Sequence, residues 1–278
     1  MLIILCKILA ILPLNILQNI GRIIGKTVYL CSKKYRDNIQ SNMIKAGFNN
    51  QELFRKTAEE SGAMILETPK IWFKNKYCLS KTYTSQINVI KQALSEQKGT
   101  IFITPHIGCF EIIARHLACY YPITIMFKPP KKKYLESLIT NNRNIYNIKA
   151  VPANISGVRQ LNKALRRKEF IGILPDQVPN QGKGTIVKFF GHEAHAMTLP
   201  AKLALQNDSI LILAFAERLS KGRGWQIYYE RIIKPDTNDV DILTNHINTI
   251  IEKTICKIPT QYLWSYDRYK KPSGSINN

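Results

Sequence analysis

The sequence predicts an α/β fold, with a mainly parallel central sheet flanked by helices and an additional helix at the amino terminus. Two observations lead to this prediction. From Gly99 onward, short apolar segments of strand length alternate with segments whose apolar residues recur at helical spacing, a pattern typical of strand–helix–strand units. Before Gly99 the apolar residues follow helical spacing, and residues 2–30 are strongly apolar.

The individual elements follow from the same patterns. Strands are predicted at Thr100–Thr104, Ile123–Phe127, Lys149–Val151, Ile171–Leu174, Ser209–Ala216 and Trp225–Ile232. Helices are predicted at residues 51–68, Glu111–Tyr120, Val158–Arg167, Leu199–Gln206 (just after a loop) and Val240–Ile258. In the last helix, Ile and Leu form one stripe, which indicates a face packed on the core. No linker is apparent, so we predict a single domain over residues 33–278 that follows an amino-terminal segment, 1–32.

The amino-terminal segment predicts contact with a membrane. Residues 2–30 are apolar, but Lys7 and Pro13 interrupt them before the run of about 20 apolar residues that a spanning helix needs. After Gly21 cations become frequent, at Arg22, Lys26 and Lys33. An apolar segment followed by cations is typical of a helix that lies in, or dips into, an anionic membrane surface. A helix packed on the core and a single membrane span are the alternatives.

The charge balance points to an anionic partner. The 278 residues include 40 Lys and Arg against 19 Asp and Glu, for a formal net charge of +21. Such an excess suits binding to nucleic acid, an anionic membrane or an acidic ligand. We expect no nucleic acid, because the sequence has neither a recognition helix nor a basic face interleaved with aromatic residues. No metal is expected either, since the six cysteines form no Cys-x-x-Cys pair and His192 and His195 lack a third ligand nearby.

One motif carries residues suited to acid–base chemistry. The segment Gly99–Ile113 reads GTIFITPHIGCFEII, in which a buried strand leads through Pro105 to His106 and a helix follows. This turn places Glu111 in the first helical turn, where it can accept a hydrogen bond from one ring nitrogen of His106 and leave the other free as a base. A histidine and an acid five residues apart are common by chance, so a structural histidine is the alternative.

Four further segments make this pattern more specific. They are YRDNIQSN (Tyr35–Asn42), IGILPDQVP around Asp176 and Gln177, GKGTIVKFFGHEAHAMTLPAKLA (Gly182–Ala204) and YLWSYDRYKKP (Tyr262–Pro272). Together with the His-x-x-x-x-Glu motif, in this order, they resemble the bacterial lipid A late acyltransferases over nearly the whole chain. The resemblance implies the glycerolipid acyltransferase-like fold.

The resemblance is incomplete beside the histidine. The family usually has Asn-Trp where this chain has Cys109 and Phe110, and an Arg where it has Lys128. These differences leave open the shape of the adjoining pocket and the length of the acyl chain that it accepts.

The resemblance implies transfer of a fatty acyl chain from a thioester to a hydroxyl of a lipid A precursor, directly and without a cofactor. His106 would act as the general base and Glu111 would orient it, while backbone amides near Gly108 or a nearby arginine would stabilise the oxyanion. The residues expected to bind substrate are Arg159, Arg143, Asp176, Gln177, Lys183 and Lys128. The donor would be an acyl carrier protein thioester or an acyl-coenzyme A.

The same resemblance gives the basic composition a cause. An acyl carrier protein and a phosphorylated lipid A precursor are both acidic, and both would be attracted to basic segments such as Lys131–Lys133, Arg166–Lys168 and Lys270–Lys271. The family implies a location on the cytoplasmic face of the inner membrane. Acyl transfer to another lysophospholipid or glycolipid is the alternative among enzymes. An inactive membrane scaffold and a nucleic-acid-binding protein are the alternatives outside them.

Overall fold

The computed structural model describes residues 2–130 and 133–272, without the side chains of residues 133–135. The predicted basic run Lys131–Lys133 therefore lies outside the described side chains. Its helices are α1 (Leu2–Ile11), α2 (Leu14–Cys31), α3 (Lys33–Lys45), α4 (Gln51–Phe73), α5 (Asn75–Ser80), α6 (Ile87–Ser95), α7 (Phe110–Leu117), α8 (Lys133–Arg143), α9 (Ile155–Arg166), α10 (Leu199–Gln206) and α11 (Val240–Lys257). Its strands are β1 (Thr82–Tyr83), β2 (Thr100–Ile103), β3 (Ile123–Phe127), β4 (Ile148–Pro152), β5 (Phe170–Ile173), β6 (Gly184–Phe189), β7 (His192–Met197), β8 (Ile210–Arg218) and β9 (Trp225–Ile232).

Seven strands form the central sheet, in the order β1-β9-β8-β2-β5-β3-β4. All neighbouring strands in this sheet run parallel except β8 and β9, which are antiparallel. The strands β2 and β5 are buried along their full length, because helices cover both faces of the sheet. This architecture confirms the predicted α/β fold with a mainly parallel sheet.

The register of β2 against β5 positions the residues that follow both strands. Ile103 pairs with Ile173, and both strands continue through a proline to a polar residue three positions further on, His106 and Asp176. The carboxyl ends of parallel strands lie at one edge of the sheet. The register therefore places these two side chains next to each other.

The observed elements differ from the predicted ones in several places, and β1, α5, α6 and α8 were not predicted. The predicted helix Glu111–Tyr120 is shorter and ends at Leu117, and the helix predicted at 51–68 continues to Phe73. The segment before α10 is not a loop but an antiparallel hairpin of β6 and β7. Its two strands pair with each other, and the hairpin packs on α11, so the residues on its outer face are exposed. This exposure weakens the alternation of apolar and polar residues that would have indicated strands.

The amino-terminal segment forms two helices that pack on α4. Pro13 separates α1 from α2, because proline is accommodated poorly inside a helix. Within the contact between α2 and α4, a Cβ added at Gly21 would lie 2.6 Å from the Gly62 carbonyl oxygen, so only glycine allows this close approach. None of the helices in the described part of the chain combines the length and apolar character needed to cross a membrane. The division at residue 32 stays a prediction.

Many apolar side chains of α1 and α2 are nevertheless exposed. They are Leu2, Ile3, Ile4, Leu5, Ile8, Ile11, Ile16, Ile20, Ile23, Ile24, Val28 and Leu30. A contiguous apolar surface of this kind marks a site of contact with a membrane or another protein.

Candidate functional site

The loop that carries His106 is fixed by backbone contacts on both sides. Gly108 has φ +56°, and a Cβ at this position would overlap the Ala216 carbonyl, so the turn requires glycine. The Gly108 amide donates to the Gln261 carbonyl at 2.9 Å, and the Cys109 amide donates to the Ala216 carbonyl at 2.8 Å. The expectation that amides near Gly108 stabilise an oxyanion is therefore wrong for these two groups, because both already have partners.

The imidazole of His106 is held by Asp176. Its Nδ1 lies 2.8 Å from Oδ1 of Asp176, and the backbone amide of His106 donates to Oδ2 at 2.8 Å. An ionised carboxylate only accepts hydrogen bonds, so Nδ1 carries the proton and Nε2 is the unprotonated nitrogen. Burial raises the pKa of Asp176, but the electrostatic interaction with His106 and the hydrogen bonds from it outweigh burial, and the net pKa is lowered.

The prediction that Glu111 orients His106 is wrong in its geometry. The carboxylate of Glu111 accepts hydrogen bonds from Arg143, whose Nε lies 3.4 Å from Oε2, and from Nε1 of Trp72 at 3.3 Å. Because Asp176 reaches His106 from the neighbouring strand, Nδ1 is already occupied. Glu111 lies in the first turn of α7, as predicted, but its partner is an arginine.

Glu111 and Arg143 form a half-buried ion pair at the side of the site. The side chain of Glu111 is 10% exposed and that of Arg143 is 20% exposed. Burial raises the pKa of Glu111, but the charge and hydrogen bond of Arg143 dominate together with Trp72, and the net pKa is lowered. The guanidinium of Arg143 also lies over the Phe127 ring, 5.8 Å from its centroid. These contacts fix the position of the Arg143 guanidinium.

The carboxy-terminal segment contacts both the loop that carries His106 and the loop that carries Asp176. The Leu263 amide donates to the His106 carbonyl at 3.1 Å, and the hydroxyl of Tyr266 accepts from the Val178 amide at 2.9 Å. Tyr262 is buried, and burial together with the nearby Asp176 carboxylate, which accepts a hydrogen bond from its hydroxyl, raises the pKa of Tyr262. Asn42 donates to the carbonyls of Trp264 and Tyr266, so the YRDNIQSN and YLWSYDRYKKP segments meet here.

A cleft of about 700 Å³, which we call the main cleft, opens at His106. Its inner part is an apolar slot between the sheet and α7. The floor of the slot is a row of three residues on adjacent strands, Phe102, Gly172 and Ile125, and Ile123 lies deeper. The opposite wall is formed by α7, with Ile113, Ala114 and Leu117. Phe170 packs at its closed end against Phe102 and Tyr121. Such a slot accommodates a hydrocarbon chain by burying its apolar surface.

The outer rim of the main cleft is basic. Seven of the eight residues predicted for the site line the cleft, namely His106, Glu111, Lys128, Arg143, Arg159, Gln177 and Lys183, while Asp176 is buried behind His106. Gln177 contacts the unprotonated ring nitrogen, with its Nε2 3.4 Å from Nε2 of His106. Arg159, Lys128 and Lys183 are exposed on the rim. The structure thus brings the predicted residues together, although their roles stay predictions.

Several residues of the site were not predicted. Lys202 joins the basic rim, where Lys270 was expected as part of the basic segment Lys270–Lys271, and Trp72 and Tyr262 hold Glu111 and Asp176. Tyr262 lies in the YLWSYDRYKKP segment, so a signal for it existed. Trp72 and Lys202 are ordinary helix residues in the sequence, and only the packing of α4 and α10 brings Trp72 to Glu111 and Lys202 to the cleft. Within the described residues, no group of three or more His, Cys, Asp or Glu could hold a metal ion.

The lowered pKa values of Asp176 and Glu111 predict loss of stability in acid. A carboxyl whose pKa is lower in the folded state stabilises the fold above its unfolded value, near 4, and this contribution is lost as pH falls through the folded value. We expect the free energy of unfolding to decrease below about pH 5. The decrease should be less steep in Asp176→Asn, measured by urea unfolding in detergent. If the slope in Asp176→Asn equals the slope in the exposed control Asp236→Asn, this prediction is contradicted.

Comparisons with known proteins agree with the motifs. Residues 1–271 match the family model described as bacterial lipid A biosynthesis acyltransferase. The chain is 22% identical to the lipid A biosynthesis lauroyltransferase of Escherichia coli (strain K12) over 268 residues, 95% of this chain and 83% of that protein. It is 22% identical to the palmitoleoyltransferase of the same organism over 252 residues, 90% of this chain and 78% of that protein. It is 24% identical to a lipid A biosynthesis acyltransferase of Haemophilus influenzae over 213 residues, 75% of this chain and 67% of that protein.

Proposed function

The chain belongs to the bacterial lipid A biosynthesis acyltransferase family and is an acyltransferase, and from this premise we propose that it transfers a fatty acyl chain from a thioester to a hydroxyl of a lipid A precursor, with His106 as the general base. The observation that carries the proposal is the His106–Asp176 pair at the entrance of an apolar slot with a basic rim. A base, a place for the acyl chain and a cationic surface for an anionic acceptor are adjacent in one cleft.

Nε2 of His106 serves first as a base and then as an acid. The acceptor hydroxyl oxygen attacks the thioester carbonyl carbon while Nε2 removes its proton. When the tetrahedral intermediate collapses, the carbon–sulfur bond breaks and the imidazolium returns the proton to the leaving thiolate. Asp176 stabilises the imidazolium through Nδ1. Assistance of this kind contributes about 10²- to 10⁴-fold to the rate.

Three donors are available to the oxyanion of the intermediate. The side-chain amide of Gln177 lies beside Nε2 of His106, where the new carbon–oxygen bond forms. The backbone amides of Phe110 and Glu111 begin α7, where N–H groups lack intrahelical partners. Glu111 takes a different role from the predicted one, because it fixes Arg143 as a cation beside the reacting groups.

The rest of the cleft suits the two substrates. The apolar slot accepts the acyl chain, and the rim cations Lys128, Arg159, Lys183, Lys202 and Lys270 face the acceptor phosphates. The same positive surface attracts an acidic acyl carrier protein, which we propose as the donor in preference to acyl-coenzyme A. The exposed apolar faces of α1 and α2 support contact with the cytoplasmic leaflet of the inner membrane, where the lipid acceptor is found.

Mass spectrometry of lipid A tests the proposed function. We expect deletion of the protein from its native cells to remove one acyl chain, and the wild-type protein to restore it. Purified protein in detergent should acylate a lipid A precursor from acyl carrier protein thioester faster than from acyl-coenzyme A. Unchanged lipid A after deletion would refute the acceptor, and phospholipid and glycolipid profiles would then identify another one. Equal rates from both donors would refute the preference for the carrier protein.

Gly172 is predicted to set the usable depth of the slot. A Cβ at this position would lie 3.1 Å from Cγ2 of Ile125, so a side chain would narrow the floor of the slot. The floor beyond Gly172 extends for only about 7 Å, or two residues of strand, before Phe170 closes it. We expect Gly172→Val to shift the transferred chain to a length shorter by two or more carbons, measured by mass spectrometry of the product with mixed acyl donors.

Ile171→Val is the matched control for Gly172→Val. Ile171 lies on the same strand, but its side chain belongs to the core on the opposite face of the sheet and does not line the main cleft. This control should keep the chain length of the wild type. If Gly172→Val and the milder Gly172→Ala both remain folded and keep the same chain length, the acyl chain does not lie in this slot.

A further inference from the structure

A second cavity lies away from the main cleft, between α2, α4 and the turn that joins β8 to β9. Its volume is about 430 Å³. Five cations line it, namely Arg22, Lys26, Arg55, Lys56 and Lys221, and we call it the basic cavity. None of these residues lines the main cleft.

The cations of the basic cavity exceed the carboxylates that could neutralise them. Three glutamates line the cavity, but Glu60 already accepts from Arg22 at 2.9 Å and from the buried Arg218 at 2.8 Å. Among the described residues, the side chains of Lys26, Arg55, Lys56 and Lys221 form no hydrogen bond or ion pair. Four cations therefore face a shared space with only two unpaired carboxylates, Glu52 and Glu59, and an anion in that space would relieve their repulsion.

The basic cavity borders the exposed apolar surface of the amino-terminal helices. Along α2, Asn15, Asn19, Arg22 and Lys26 follow each other at spacings of three or four residues, so they form one strip of the helix. Beside this strip, on the side away from α4, Ile16, Ile20 and Ile23 are 45%, 36% and 67% exposed. A phosphate bound at the strip would thus lie at the level where the apolar surface begins.

We infer that the basic cavity binds the phosphodiester headgroup of an anionic phospholipid while the apolar faces of α1 and α2 rest among the acyl chains. In a bilayer, headgroup phosphates lie immediately above the hydrocarbon. The cations of α2 lie above its exposed isoleucines in the same order. The headgroup phosphate supplies the anion that the four unpaired cations lack. The inference rests on the proposed membrane contact and not on acyl transfer.

Vesicle flotation tests this inference with two variants of equal charge. The cavity variant is Lys26→Gln, Arg55→Gln, Lys56→Gln and Lys221→Gln. The control variant replaces four exposed lysines elsewhere, Lys91, Lys163, Lys188 and Lys253, by Gln. On vesicles of phosphatidylcholine with phosphatidylglycerol, we expect the cavity variant to bind on the order of 100-fold more weakly than wild type, since each cation near an anionic surface contributes several-fold. The control variant should lose much less, and binding to phosphatidylcholine alone should be equal in all three.

Three outcomes would overturn the inference. If the cavity variant and the control variant lose the same affinity for anionic vesicles, the net charge of the protein and not the basic cavity determines binding. If inorganic phosphate raises the melting temperature of wild type but not of the cavity variant, while vesicles bind both alike, the cavity is a site for free phosphate. If wild type binds no anionic vesicles, the membrane contact itself is absent, and acyl transfer in detergent would still test the proposed function separately.

Folding of the cavity variant is checked by its acyl transfer rate in detergent micelles, which should equal that of wild type. If the fourfold substitution does not fold, the single variants Lys26→Gln and Lys221→Gln replace it. Both residues are exposed, and each variant should weaken binding to anionic vesicles by about fivefold. No change in either single variant would also overturn the inference.

Discussion

Replacement of His106 by alanine is expected to lower kcat by about 10³-fold or more, because it removes both the base that activates the acceptor hydroxyl and the acid that protonates the leaving thiolate. Binding of the acyl donor should change little, since the apolar slot and the rim are separate from the imidazole. The measurement is the steady-state rate of acyl transfer to a lipid A precursor in detergent, with donor affinity measured separately.

His192→Ala is the control for His106→Ala. His192 is an exposed histidine at the start of β7, outside the main cleft, and its replacement should leave kcat near that of wild type. A His106→Ala protein that is folded and retains more than about a tenth of the wild-type rate would refute general-base catalysis by this residue.

Replacement of Asp176 by asparagine is expected to lower kcat by roughly 10²- to 10⁴-fold, although the shape of the side chain is preserved. The amide oxygen can still accept from the backbone of His106, which leaves the amide nitrogen facing Nδ1. An amide NH₂ group donates, so Nδ1 must accept and the ring proton moves to Nε2. The histidine then no longer offers a lone pair to the acceptor hydroxyl.

A double-mutant cycle distinguishes Asp176 from Glu111 as the partner of His106. If His106 and Asp176 act as a unit, the double variant His106→Ala/Asp176→Asn should be about as slow as the slower single variant. The effects of His106→Ala and Glu111→Gln should be closer to additive in free energy, because Glu111 contacts Arg143 and not the imidazole. Strong coupling of His106 to Glu111 without coupling to Asp176 would refute the pairing described here.

The strands and the loop of His106 could be predicted because their signals are local. An apolar run bounded by Gly99 and Pro105 indicates a buried strand, and Gly108 indicates a turn, without reference to the rest of the chain. The partner of His106 could not be read in this way. Glu111 is five residues away in sequence, whereas Asp176 reaches the imidazole only through the register of β2 with β5. One indirect signal existed, since ITPH and ILPD both carry a proline between an apolar strand and a polar residue.

The roles of individual cations in the site could not be predicted from the sequence either. Arg143 and Arg159 were both expected to face substrate, but only Arg143 pairs with Glu111, because α8 and α7 bring these two side chains together. The Trp72 that completes this pair lies near the end of α4, and the extension of that helix to Phe73 was not predicted. Such contacts depend on where helices end and cross, which is the part of a fold that local patterns specify least.

The glycine contact between α2 and α4 has a consequence for how the enzyme meets its substrates. Gly21 and Gly62 allow the two helix backbones to touch, and the buried Gln18 donates to Glu67 at 2.9 Å within the same contact. A helix held by backbone-to-backbone packing cannot swing as a flexible tether would. In the proposed membrane contact, the tilt of the main cleft relative to the bilayer normal would then be fixed. An acceptor diffusing laterally in the leaflet would always approach His106 from one direction, with its headgroup and acyl chains already aligned to the rim and the slot.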